Sequence, residues 1–458
     1  MILHLLRLLT VAALLLPGLG RGAAADEWRA GLARVEITPP RPMWMSGYSS
    51  RDRPAQGTLT PLWAKVAVLE DSAGRRLALV TLDLVGIDRE LSQELKRGIR
   101  EAAGIEPARV ALCCSHTHTG PVVNRNLRAM YLLALDDSQW SLIAEYAELL
   151  KANVVRAVQE AVADLRPAEL SWGTGEATFA VNRRNNPEDE VTALRAAGQL
   201  QGPVDHTVPV LAIRREGQLS AAIFGYACHA TVLSSYEWSG DYPGFAQIEL
   251  ERRHPGVQAM FWAGCGADQN PLPRREVELA REYGRQLAAA VDEVLGGPMM
   301  AIQGPSRAVL REIELPYATL PTRDDLDRLA ASDTGYEGRR ARLLLEQWGQ
   351  DGELAAAYPY PVQVWRIGDA PAWALLGGEV VVDFALRLTA DHPDQSVWAA
   401  GYVNDVMAYI PSLRVLREGR YEGGGAMVYY GLPSAWDESV EERIVTEVTR
   451  QVSETSAP

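Results

Sequence analysis

The chain has 458 residues, 47% of them apolar and 23% charged, with a net charge of −14. That length fits one large domain or two, and the composition is that of a soluble globular protein rather than a disordered or fibrous one. No run of Lys and Arg stands out, which argues against nucleic acid as a partner.

At the N-terminus, Arg7 precedes the apolar run Leu8–Leu16, a Pro-Gly break follows, and Ala23-Ala24-Ala25 supplies small residues. This is a signal-peptide pattern over 1–25, with cleavage expected near Ala25. The run is too short to span a bilayer comfortably. The expected product is soluble and exported, secreted or periplasmic, without a stable membrane span. Strand-like runs follow at 34–38, 63–70, 76–84 and 109–115, and later at 207–215, 219–230, 257–264, 362–368, 372–377 and 395–402. Several are continuously apolar, as in strands covered on both faces. Helical periodicity fits 88–103 (with Asp88 as N-cap), 138–164, 274–295, 323–349 and 436–452. The stretch 299–316 reads as a further strand pair. The alternation predicts an α/β fold, a large mixed β-sheet core flanked by helices, with 26–458 as one catalytic-type domain. The four cysteines, Cys113, Cys114, Cys228 and Cys265, show no CxxC spacing. Cys113 reads as a buried small hydrophobe, and a Cys228–Cys265 pair stays open.

Chemistry-bearing residues gather where these strands end. In "SHTHTGP" (115–121), His116 and His118 face one side if the strand 109–115 runs on through Thr117. Two imidazoles there can both bind a metal, or one can bind while the other acts on substrate. The plain alternative is two surface histidines. His229 ends another apolar strand and precedes a polar loop with Asp241. "WAGCGADQNP" (262–271) offers Asp268 and Asn270 in a Gly-rich loop, and Glu379 follows the strand in "LLGGEVVVDF" (375–384). Tyrosines and glycines concentrate in 401–431. There is no HExxH, GxSxG, P-loop or HxHxDH pattern, so any catalysis must be assembled from separate strand ends.

Taken in order, these segments resemble the neutral/alkaline non-lysosomal ceramidase family. The likeness runs through "AGLARVEITPP…MSGY" (30–48), "SHTHTGP", "VNRR" (181–184), "CHAT" (228–231), "SGDYPGF" (239–245), "GADQNP" (266–271), "GGE" (377–379) and "NDVMAYI…RYEGGGAMVYYG" (404–431). The resemblance implies a hydrolase of the amide in N-acyl-sphingosine or a related N-acyl lipid, hence sphingolipid metabolism, using one zinc ion (Zn2+) per chain. It implies His116, His229, Glu379 and Tyr409 as zinc ligands, and His118, Arg183 and Tyr421 as catalytic groups. Asp268 and Asn270 fall at the substrate. The family's "GDVSP" loop carries a serine where this chain has Asn270, which favours attack by water over a serine nucleophile. The chain stops at Pro458, so the family's C-terminal β-sandwich domain is expected to be absent. The expected partner is a lipid or small-molecule substrate, with peripheral lipid contact at most. Alternatives are a zinc hydrolase of the same fold acting on a different small amide or ester, and a non-catalytic secreted binding protein.

Overall fold

Alternating side chains build the main sheet. In Trp63–Glu70, Ala64, Val66 and Val68 enter one core, and Ala67 and Leu69 enter another, the period-two signature of a strand covered on both faces. The computed structural model describes residues 28–456; the signal-peptide segment 1–25 lies outside the described residues. The sheet has nine strands, eight of them in the order Gln258–Ala263, Gln218–Tyr226, Thr207–Arg215, Arg166–Glu176, Trp28–Glu36, Trp63–Glu70, Arg76–Leu82 and Val110–Cys114, with Met300–Ala301 branching from Arg166–Glu176. The pairs at the two ends are parallel and those between are antiparallel, so the sheet is mixed, as expected.

Helices Arg89–Ala103, Asp137–Ala163, Asp241–Arg253 and Val277–Gly296 cover one face, burying Leu95, Leu150, Phe245 and Leu287 against it. The other face packs on a second sheet, ordered Ser306–Pro316, Ala357–Ile367, Ala372–Leu376 and Val397–Ala400. Trp262, Trp365, Trp373 and Trp398 fill the space between the sheets, with the Trp262 and Trp373 rings 5.1 Å apart. Helix Val440–Ser456 closes the outer face through Ile444 and Val448. The layers run helix, sheet, sheet, helix, and the second sheet is an addition to the expected architecture.

The expected helices form, and Asp88 caps the first by accepting from Leu91 N at 3.0 Å. The helix expected over 323–349 is two, Arg323–Ser332 and Tyr336–Asp351. Asp333 breaks it: its carboxylate takes the Gly335 N–H at 2.6 Å and the Gly338 N–H at 3.3 Å, capping the second helix. The strands within 299–316 do not pair with each other; Met300–Ala301 joins the first sheet and Ser306–Pro316 the second. Strand Arg166–Glu176 was not legible, since its Gly173 and Gly175 replace side chains where Val294 packs against the backbone. All four cysteines are free and buried.

One segment brings the two edges of the main sheet together. Gly401 N donates to Ala263 O at 3.0 Å on one edge strand, and Cys114 N donates to Tyr402 O at 3.2 Å on the other. Asn404 N adds a bond to Leu112 O at 2.8 Å. Strand ends at opposite edges of the sheet thus face one another.

Candidate metal centre and cleft

The strand carrying the histidine pair ends at Cys114, before either histidine. The strand alternation through Thr117 that the sequence suggested is therefore not what places the pair on one side. His116 instead takes a left-handed backbone (φ 60°), and the turn swings both rings inward. The intervening threonines anchor the turn: the hydroxyls of Thr117 and Thr119 each reach Ser239 O at 2.7 Å. His118 N donates to Ala230 O at 3.2 Å, tying this loop to the one that carries His229. Gly47 is required beside His118, because a Cβ there would lie 2.5 Å from the His118 ring.

Three imidazoles meet, and the candidate ring nitrogens of His116, His118 and His229 lie within 4.8 Å of one another. Glu379 joins them from a short strand, Glu379–Val380, that follows Ala372–Leu376 of the second sheet. Its Oε2 is 3.1 Å from His116 Nε2 and 3.1 Å from His229 Nε2. Gly378 (φ 75°) makes this approach feasible, since a Cβ would sit 2.7 Å from Ala408 O. Glu379 pairs in register with Tyr409, whose hydroxyl lies 3.3 Å from His229 Nε2.

The hydrogen bonds around these rings assign their protons. His116 Nδ1 is 2.6 Å from Val85 O, and His229 Nδ1 is 2.9 Å from Gly266 O. Each Nδ1 therefore carries the proton and each Nε2 a lone pair. Burial and then the Arg183 guanidinium push His229 down to about 4, so it is neutral at pH 7. The Glu379 carboxyl lies buried between the two Nε2 atoms. Its Oε2 is buried and receives no hydrogen bond. Two nitrogen lone pairs and an anionic oxygen thus converge on one enclosed point. This arrangement is costly alone and suits a bound cation. The 3.1 Å separations are close to the edge of about 3.3 Å in a tetrahedron with bonds near 2.0 Å. Tyr430, which the sequence did not single out, donates its hydroxyl to Glu379 Oε1 and orients the carboxylate.

A cleft of about 560 Å³ opens beside this point, lined by His118, His229, Arg183, Asn270, Tyr409 and Tyr421 among others. Strands Ala180–Asn182 and Gln269–Pro271 pair, setting Arg183 next to Asn270. Arg183 donates to Tyr409 OH at 3.1 Å, to Asn270 Oδ1 at 3.3 Å and to Glu422 Oε1 at 2.7 Å. Tyr421 stands at the mouth, 43% exposed, with its ring 5.2 Å from that of Tyr409. His118 is buried; its Nε2 is 3.1 Å from His116 Nε2 and its Nδ1 has no partner. Burial, then its two histidine neighbours, hold it well below the usual range.

Asp268 departs from the expectation of a substrate contact. It is fully buried, accepts from Val382 N at 2.9 Å and Asn182 Nδ2 at 3.1 Å, and does not line the cleft. Its main-chain oxygen accepts from Arg183 N at 2.8 Å, so it supports the wall that carries Arg183. Asp241 likewise is no loop residue: it starts a helix and accepts from Leu233 N at 2.8 Å. Glu422, Tyr402 and Tyr430 also belong to the site's surroundings. They sit in the tyrosine- and glycine-rich stretch 401–431, but nothing in its spacing marks them.

The pattern of the neutral/alkaline non-lysosomal ceramidase N-terminal family matches residues 28–270. The chain is 26% identical over 334 residues to neutral ceramidase of Pseudomonas aeruginosa, covering 66% of this chain and 47% of that protein. It is 25% identical over 264 residues to neutral ceramidase of Drosophila pseudoobscura pseudoobscura, covering 54% and 36% respectively. Neutral ceramidase of Mycobacterium tuberculosis is 27% identical over 227 residues, 46% of this chain and 34% of that one. The matches thus span about half of these relatives' length or less. In three dimensions, the crystal structure of the Pseudomonas aeruginosa neutral ceramidase superposes with a TM-score of 0.70 at 22% identity, over 94% of this chain and 76% of that one. A structure of ceramidase complexed with C2 gives 0.70 at 20% identity, over 93% and 76%. That likeness carries the fold. With more than half of its residues matched, the chain belongs to the neutral/alkaline non-lysosomal ceramidase family through that family's N-terminal region.

Proposed function

We propose that this protein is a zinc-dependent amidohydrolase, cleaving the amide of an N-acyl compound with water. The observation that carries the reading is the convergence of His116 Nε2 and His229 Nε2 on Glu379 Oε2, each at 3.1 Å, beside a cleft that His229 lines. His116, His229, Glu379 and Tyr409 would hold the ion, a nitrogen- and oxygen-rich set suited to zinc. Bound there, zinc supplies Lewis acidity, polarising a carbonyl and making water a stronger nucleophile at neutral pH.

The remaining steps belong to the chain's own groups. His118, neutral and with its Nε2 3.1 Å from His116 Nε2, takes the proton of the attacking water and returns it to the nitrogen of the breaking C–N bond. Arg183 and Tyr421, on one cleft wall, donate to the carbonyl oxygen as negative charge grows on it. Asn270 accepts from Arg183 and fixes its direction. No serine is needed for this sequence of bond changes. The leader pattern at 1–25 supports work outside the cytoplasm, and among the described residues no helix is long and apolar enough to cross a membrane.

N-acyl-sphingosine is the substrate that the family suggests. A smaller polar amide is the second reading, favoured by the cleft itself, where the aliphatic side chains are few. Metal content and turnover of His116→Ala, His229→Ala and His118→Ala test the proposal. The first two lose both zinc and hydrolysis. His118→Ala keeps zinc and slows turnover by about 10²–10⁴. Turnover that survives zinc removal would refute the mechanism, and equal zinc loss in all three would make His118 a ligand. A wild-type protein that binds no zinc on titration would favour a non-catalytic binding protein.

A further inference from the structure

The cleft gathers cations in a protein that is acidic overall. Arg183, Arg184, Arg274, Arg275 and Arg420 line it, against the carboxylates of Glu188 and Glu422, while the whole chain carries −14. Three of the five are committed. Arg183 and Arg184 share Glu422, at 2.7 Å and 2.5 Å. Arg274 takes both oxygens of Glu188, at 2.8 Å and 2.6 Å. Arg275 and Arg420 form no ion pair among the described residues. Arg275 donates to Tyr48 OH at 3.0 Å and lies over the Tyr48 ring, and Tyr48 in turn packs on His118 with ring centroids 4.8 Å apart. Arg420 donates to Arg184 O at 3.1 Å.

Both free arginines stand on backbone that side chains rarely adopt. Arg275 has φ 93°. Arg420 has φ 63° and ψ −153°, a region that belongs almost wholly to glycine. The chain spends glycine at 419, 423, 424 and 425, yet places arginine at 420, on backbone that also favours glycine. The surroundings enforce this conformation. Arg184 clamps both flanks of residue 420, through Glu418 Oε2 at 2.9 Å, Gly419 O at 3.2 Å and Glu422 Oε2 at 2.5 Å. Arg275 N is fixed on Val232 O at 2.7 Å. Strain held in place by neighbouring contacts marks a constrained side chain. Here two such side chains, both unpaired guanidiniums, border the same cavity as His118.

We propose that Arg275 and Arg420 form an anion subsite, and that the amide substrate carries a carboxylate or phosphate in addition to its scissile bond. This rests on the amidohydrolase reading for the chemistry, but the subsite is a matter of binding. Guanidinium forks match the oxygens of either anion. A cleft so lined suits a polar, anionic N-acyl compound better than a long neutral lipid.

Calorimetry on chelator-treated protein, which cannot turn over substrate through the metal, isolates the subsite. The ligands are N-hexanoylglycine (carboxylate), N-hexanoyl-O-phosphoethanolamine (phosphate) and neutral N-hexanoylglycinamide. At least one anionic ligand is expected to bind about tenfold tighter than the neutral one. Arg275→Gln and Arg420→Gln each bring that ratio toward one, and so does raised salt. Which anion gains more identifies the group. Equal affinity for all three ligands, or a ratio that both variants leave unchanged, overturns the subsite. Hydrolysis of the same compounds by the zinc-loaded protein is scored separately. A retained anion preference without hydrolysis would sink the amidohydrolase reading and leave the subsite standing.

Discussion

Replacing Glu379 by Gln separates the metal-free protein from the metal-loaded one by the sign of the effect. At pH 8 the metal-free site holds a buried carboxylate oxygen that receives no donor, facing two imidazole nitrogens at 3.1 Å each whose protons sit on the opposite ring nitrogen. Glutamine keeps the shape, and its Oε1 can still accept from Tyr430. Its amide nitrogen replaces the unpaired oxygen with a donor that faces the two Nε2 atoms, in competition with the His118 ring and the Tyr409 hydroxyl. A buried acceptor left without a partner costs about 1–3 kcal/mol, so removing it is expected to stabilise the metal-free variant by about 2 kcal/mol over wild type. The metal-loaded protein should move the other way. Outer-sphere changes at metal sites alone cost about 10–100-fold in affinity, so loss of an anionic ligand should weaken zinc by more than about a hundredfold. Thermal denaturation with and without chelator, paired with zinc competition against a chromophoric chelator, reads both. If Glu379→Gln lowers the stability of the metal-free protein, the site holds a shared proton instead of a cation seat. Unchanged zinc affinity would remove Glu379 from the ligand set.

Two further outcomes are expected. Tyr430→Phe deletes the hydroxyl that holds Glu379 Oε1 and should weaken zinc by about 10–100-fold with the fold intact by circular dichroism; unaltered affinity would reduce Tyr430 to packing. Asp405 is pushed up to about 7, chiefly by burial, with Tyr358, Asp88, Arg89 and Glu312 as its ionisable neighbours. A raised carboxyl stabilises the fold below its unfolded pKa of about 4, and that contribution is lost as pH rises through about 7. Three pKa units correspond to about 4 kcal/mol at most. Asp405→Asn should therefore flatten the decline in stability between pH 4 and pH 8 measured by urea denaturation, and an equally steep decline in the variant would refute the assignment.

Much of the site was legible along the chain because its parts are local. His116, His229, Asn270 and Glu379 each follow an apolar strand, and a strand's end can be read from where the hydrophobic run stops. Arg183, Tyr409 and Tyr421 became visible only through the family resemblance, since an isolated Arg or Tyr in a polar loop has no periodic signal. Asp268 was misjudged for the same reason: a carboxylate in a glycine-rich loop looks alike whether it faces a cleft or, as here, Val382 N and Asn182.

By itself, then, the sequence determined the α/β class, most strands and helices, and the strand ends where chemistry would gather, because hydrophobic period and caps act over a few residues. Only the tertiary structure decided how those ends meet. The segment around Gly401–Asn404 bonds to both edges of the main sheet, and a left-handed turn at His116, not strand alternation, aims its histidines. A separate parallel pair of short strands, Glu379–Val380 with Tyr409–Ile410, delivers Glu379 and Tyr409 from the far part of the chain. The strained backbones of Arg275 and Arg420 likewise exist only because contacts distant in sequence, Val232 for one and Arg184 for the other, outweigh local preference.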